Sequence, residues 1–81
     1  MDYDLIDLGG FTRKNTKILA DTPDYQRTRT VFDHRLILIT EVDKKDQKIK
    51  VSSNFEWEKV GKKFRPNVSL HNANFVDPLA K

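Results

Sequence analysis

Lys48-Ile49-Lys50-Val51-Ser52-Ser53-Asn54-Phe55-Glu56-Trp57-Glu58 is the stretch whose reading decides the fold. Lys48, Lys50, Ser52, Asn54, Glu56 and Glu58 recur on one side of a two-residue period. Ile49, Val51, Ser53, Phe55 and Trp57 recur on the other. Successive side chains of a β-strand point to opposite faces, so this pattern predicts one long strand with a wet face and a buried face. It sets the expected class as a small, mainly β, antiparallel domain.

Working outward from it, Asp43-Lys44-Lys45-Asp46-Gln47 is a polar connection suited to a hairpin. Upstream, residues 29–42 read as another strand: Thr30, Phe32, His34, Leu36, Leu38, Thr40 and Val42 share one face, and Ile37 and Ile39 lie on the other. A strand apolar on both faces over Leu36–Ile39 must be covered on both sides, by a helix, a partner strand or another subunit. Downstream, Gly61-Lys62-Lys63 marks a second hairpin turn, with Gly61 free to take the left-handed position. The return strand carries Phe64, Pro66, Val68 and Leu70 on one face, then slips phase at Ala73 and Phe75, which suggests a bulge near His71-Asn72. Pro66 cannot donate to a ladder and points to an edge strand.

Further out the signals are shorter. Residues 3–8 and 16–20 read as strands separated by a turn at Gly9-Gly10. Asp21-Thr22-Pro23-Asp24 has the composition of a helix start: a capping Thr, Pro at the first helical position and an early Asp. The β-branched residues that follow limit any helix to a turn or two near 23–28. The expected architecture is a single domain over 1–81, with a meander over 29–76 and a short tail over 77–81. About five strands would curl into an SH3-like or OB-like barrel; the alternative is an α+β arrangement, one helix packed on a meander of three to four strands.

Composition narrows the function classes. The chain has 81 residues, enough for one compact core but not for a deep walled cavity beside it. It has no Cys, so disulfides, thiolate nucleophiles and thiolate zinc sites are excluded. The opening Met-Asp-Tyr-Asp-Leu-Ile-Asp does not resemble a secretory signal, and no run approaches the ~20 apolar residues of a membrane span, so a cytoplasmic location is expected. The charge of +3 is unevenly placed: residues 44–65 hold eight bases and three acids. Such a field attracts nucleic acid or an acidic protein surface, but it also describes solvated strand edges kept unpaired by Lys.

No constellation for catalysis survives inspection. Glu56 and Glu58 stand roughly 6.6 Å apart on one strand face, but that face is otherwise solvated Lys, Ser and Asn, with nothing to raise a carboxylate pKa. His34 and His71 have neither Cys partners nor ligand spacing, and His34, on the apolar face, reads as a core or rim histidine. Asn67-Val68-Ser69 matches a glycosylation pattern by chance, inside a strand. No cofactor, metal or small-molecule substrate is implied, and the chain reads as a non-enzyme.

What remains is a basic and aromatic surface. Phe55, Trp57, Phe64 and Tyr25 intersperse with Lys59, Lys62, Lys63, Arg65, Arg27 and Arg29. Single-stranded nucleic acid is held by aromatic stacking beside a positive groove, as on OB-type barrels. The default for Phe55 and Trp57, on the face of Ile49 and Val51, is nonetheless core. The candidate binding residues are Lys44, Lys45, Lys48, Lys50, Trp57, Lys59, Lys62, Lys63, Phe64 and Arg65. The expected function is a small protein-binding module of the inhibitor, adaptor or assembly-factor kind, possible as a dimer. The alternative is a single-stranded DNA- or RNA-binding protein using residues 44–65.

Overall fold

In a computed structural model, which describes residues 5–79, the chain forms six strands and no α-helix among those residues. β1 (Arg13–Asp21), β2 (Tyr25–Phe32), β3 (Ile37–Asp43) and β4 (Lys48–Ser53) make an antiparallel sheet in sequence order. β5 (Phe55–Val60) and β6 (Lys63–His71) make a separate antiparallel hairpin. The mainly β, antiparallel class holds. The strands number six rather than five, the two sheets do not close into a barrel, and the α+β alternative has no helix to stand on.

The deciding stretch is not one strand. It breaks at Asn54, where the chain leaves the four-stranded sheet and enters the two-stranded one. Asn54 Oδ1 accepts the Ile37 N–H at 2.9 Å, and its Nδ2 donates to the Arg35 carbonyl at 3.0 Å. Its backbone N–H donates to the Ile37 carbonyl, and its carbonyl accepts the Asn72 N–H. Every polar group of Asn54 is thus engaged, which lets a strand end inside the protein without orphaned backbone groups. The alternation survives the corner because Ser53 and Phe55 are both buried.

Directly opposed residues of an antiparallel pair share a face, so the register sorts the larger sheet. Phe32, Thr30, Leu38, Ser53 and Val51 lie on one face, and there the β5–β6 hairpin packs. Phe32, Leu36, Leu38 and Phe55 form the core cluster, bordered by Leu8, Phe11, Val51 and Trp57. Phe55 is 2% exposed, and Trp57 stacks edge-on against it with ring centroids 4.9 Å apart. The expectation of core is met for Phe55; Trp57 is half-buried at the core's margin.

Ile39, also 2% exposed, lies on the opposite face beside its register partner Arg29. The segment after β6 closes that side. Asn72 donates its side-chain amide to the Ser53 carbonyl, and Asp77 receives a two-pronged contact from Arg29, Nε to Oδ1 at 2.9 Å and a terminal nitrogen to Oδ2 at 2.8 Å. The doubly apolar Leu36–Ile39 stretch is therefore covered on both sides, by the β5–β6 hairpin and by the chain's own C-terminal segment. Asp77 anchors the start of the expected tail; Ala80 and Lys81 lie outside the described residues.

The Arg29 hydrogen bonds, together with the Leu79 N–H, hold the Asp77 carboxyl below its ordinary pKa, and the Asp77 contact raises Arg29. A carboxyl whose pKa is lower folded than unfolded adds stability above the unfolded value and loses it as pH falls through the folded one. Acid titration is expected to loosen residues 72–79 below the ordinary carboxylate range. Asp77→Asn should flatten that limb of the stability profile at a cost of about 1 kcal/mol near neutrality, measurable by urea unfolding at a series of pH values.

The other local differences have identifiable causes. The expected strand over 29–42 is broken by the turn Asp33–Arg35, in which His34 and Arg35 take φ of 57° and 61°. The meander accordingly runs from β1 to β4 and does not continue to residue 76. The helix start at 21–24 is a tight hairpin: the Thr22 N–H donates to the Tyr25 carbonyl, and the Tyr25 N–H returns the bond. A capping Thr followed by Pro and Asp suits the first turn of a helix and a β-turn equally, because both begin with the same backbone angles. Leu5–Leu8 forms no strand, only a single parallel bridge from Ile6 to Phe64; Tyr3 and Asp4 lie outside the described residues. The strand expected at 16–20 is longer, as β1. The phase slip in β6 falls between Asn67 and His71, slightly before the expected position. The 43–47 turn, the Gly61 turn at φ 64° and the edge position of Pro66 are as read from the sequence.

Candidate binding surface

The basic and aromatic residues of 44–65 divide between two sheets. Lys44, Lys45, Lys48 and Lys50 belong to the β3–β4 hairpin of the larger sheet. Trp57, Lys59, Lys62, Lys63, Phe64 and Arg65 belong to the β5–β6 hairpin. Lys44 is already engaged: its ammonium donates to Asp21 Oδ1 and the Thr22 carbonyl, each at 3.0 Å, and its N–H donates to the Asp24 carbonyl. It ties two hairpin tips together. Lys45 lies in a turn whose N–H groups are gathered by the Asp43 carboxylate, and Lys48 and Lys50 are exposed on the edge strand β4.

Within the smaller sheet the two residue classes separate further. Trp57 faces Pro66 and Lys59 faces Phe64, on the side that carries Phe55. Glu58 faces Arg65 and Val60 faces Lys63, on the other side. Trp57 and Phe64 therefore turn inward with Lys59 at their margin, while Lys63 lies on the opposite side with Glu56, Glu58 and the half-buried Arg65. Arg65 donates to the Gly9 carbonyl at 3.1 Å. A stacking groove needs rings and cations on the same accessible face; here Trp57 and Phe64 are half-buried, and of the paired cations only Lys59, opposite Phe64, shares their side. Glu56 and Glu58 are exposed and directly opposed by Asn67 and Arg65.

Two other surfaces stand out. The first is the end of the larger sheet beyond the reach of the β5–β6 hairpin. On the core-bearing face, the register aligns Ile18, Thr28 and Thr40 in one row and Gln26, Val42 and Ile49 in the next. Ile18 is 56% exposed and Ile49 is 41% exposed. The result is a shallow patch of mostly β-branched side chains that continues the face of the core into solvent.

The second is the β2–β3 turn, which the sequence reading missed. His34 is exposed rather than in the core; its ring lies edge-on to Phe11 at 6.1 Å. Arg35 is exposed beside it. Arg13 is the register partner of Phe32, Lys14 sits in the bulge that follows, and the Asp33 N–H donates to the Thr12 carbonyl, so three bases and a histidine gather at this tip. The available signal was Asp33-His34-Arg35 itself: three successive polar residues between Phe32 and Leu36, set in a strongly apolar run. Among the described residues only three ion pairs form, Arg27–Glu41, Arg29–Asp77 and Lys44–Asp21, and none involves this tip.

No group of His, Cys, Asp and Glu side chains among the described residues could hold a metal ion. No helix among them is long and apolar enough to cross a membrane. Compared with protein-family models, with curated proteins and with solved structures, the chain matches none.

Proposed function

We propose that this protein is a non-enzymatic module that binds another protein through the open end of its four-stranded sheet. The observation that carries the reading is the pair of exposed side chains Ile18 and Ile49, joined by the half-buried Thr28, Thr40 and Val42 on the same face as the core. Contiguous apolar surface rimmed by polar residues is the usual mark of an interaction site. Lys17, Lys48 and Lys50 on the flanking edge strands discourage indiscriminate strand pairing, so recognition falls to side chains rather than to a bare ladder. The inward turn of Trp57 and Phe64 weighs against the alternative, single-stranded nucleic-acid binding.

The test compares wild type with Ile18→Arg/Ile49→Arg. Both positions are exposed, so the double variant should unfold within about 1 kcal/mol of wild type. Wild type is expected to self-associate by light scattering, or to retain a defined protein from an extract of its source cell. The double variant should lose that association by tenfold or more, as hot-spot truncation does. Equal association by both proteins contradicts the reading. Salt-sensitive binding of single-stranded DNA or RNA by both proteins, with no protein partner, establishes the alternative.

A further inference from the structure

The β2–β3 turn is built in a way that stability alone does not explain. His34 and Arg35 both occupy the left-handed backbone region, at φ 57° and 61°. For residues with a Cβ this conformation is disfavoured, and the usual solution to two successive left-handed positions is Asn-Gly. The turn is nevertheless fixed from several directions. Asn54 receives the Ile37 N–H and donates to the Arg35 carbonyl, the Leu36 N–H donates to the Asp33 carbonyl, and the Asp33 N–H reaches the Thr12 carbonyl. The backbone is held while the side chains of His34 and Arg35 stay exposed, with no hydrogen bond or ion pair to other described residues. Strain retained at an exposed, well-fastened tip is a signature of a functional loop.

We propose that this tip is a pre-organised docking point for a carboxylate-rich protein segment, with Arg35 as the anchor and Arg13, Lys14 and His34 beside it. The proposal rests on the protein-binding reading but not on the open sheet end, since the tip lies at the other end of β2 and β3. A fixed loop loses little conformational entropy on binding, and Arg is favoured as an interface anchor. The chain itself displays the chemistry in the two-pronged Arg29–Asp77 contact. The aromatics nearest the tip, Phe11 and Phe32, are half-buried against the core and buried within it. The tip therefore suits insertion into an acidic surface better than tracking a nucleic-acid strand, which needs a groove and stacking rings.

The experiment titrates isotope-labelled protein with a short polyglutamate peptide and, separately, with oligo-dT at the same low salt. The expected result is that the peptide shifts the amide signals of residues 11–14 and 33–36. Arg35→Gly, which relieves the left-handed strain, should raise the unfolding midpoint by a few degrees while weakening peptide binding about tenfold. Arg13→Ala should weaken binding without raising the midpoint. Absence of peptide binding, shifts centred on Lys44–Lys63, or unchanged affinity in Arg35→Gly would each overturn the proposal, as would tighter binding of oligo-dT to the same residues. Ile18→Arg/Ile49→Arg should bind the peptide like wild type. Failure at the tip thus leaves the open-end reading standing, and failure at the open end leaves the tip.

Discussion

Replacing Phe55 with Ala should leave the protein only marginally folded at room temperature. Phe55 is among the most buried side chains and the first residue of the hairpin that covers the larger sheet. Its ring meets Phe32, Leu36 and Leu38 in the core cluster and supports the edge of Trp57. Truncating a fully buried Phe costs about 3–5 kcal/mol, the lost transfer energy plus the cavity left behind. Domains of this size sit near the bottom of the ~5–15 kcal/mol stability range, so that loss removes most of the margin. Phe55→Leu keeps most of the volume and should cost about 1.5 kcal/mol. Thermal unfolding followed by far-ultraviolet circular dichroism separates the two outcomes. A cost below about 1 kcal/mol for Phe55→Ala would mean that the two sheets do not pack through this ring.

Asn54→Ala should be the next most damaging change, by about 2 kcal/mol, although it removes no apolar surface. The loss leaves the Ile37 N–H without its side-chain acceptor and the Arg35 carbonyl without its donor, both at the join between the sheets. Asn54→Asp is a sharper test. It keeps an acceptor for Ile37 but sets a second oxygen against the Arg35 carbonyl, so it should not restore stability. Urea unfolding gives the energies, and amide exchange gives the location. Exchange at Ile37 should accelerate in both variants while amides in the middle of β2 and β3 remain protected relative to the global opening.

The elements that were legible in the sequence are those whose chemistry is local. Gly61 and the polar 43–47 connection specify their turns, and Pro66 specifies an edge. The corner at Asn54 was invisible because it preserves parity: a chain that changes sheets between two inward residues, Ser53 and Phe55, keeps the alternation of an uninterrupted strand. Thr22-Pro23-Asp24 misled because its residues suit a helix start and a hairpin turn alike. His34 was placed on an apolar face by a period that the turn interrupts, and with it the basic tip was lost from view. The candidate site divides between two sheets for a related reason. Lys63, Phe64 and Arg65 alternate along β6, so Phe64 falls on the side of Trp57 and Lys59 while Lys63 and Arg65 fall on the other.

The inward turn of the rings is the central claim, and Trp57, the single tryptophan, reports on it directly. Its fluorescence should be followed with acrylamide present, before and after adding single-stranded DNA at low salt. The account predicts partial shielding from acrylamide, as befits a half-buried ring against Phe55, and no change in emission or quenching when DNA is added. A freely quenched Trp57 whose emission falls on DNA addition, and recovers with salt, would contradict it.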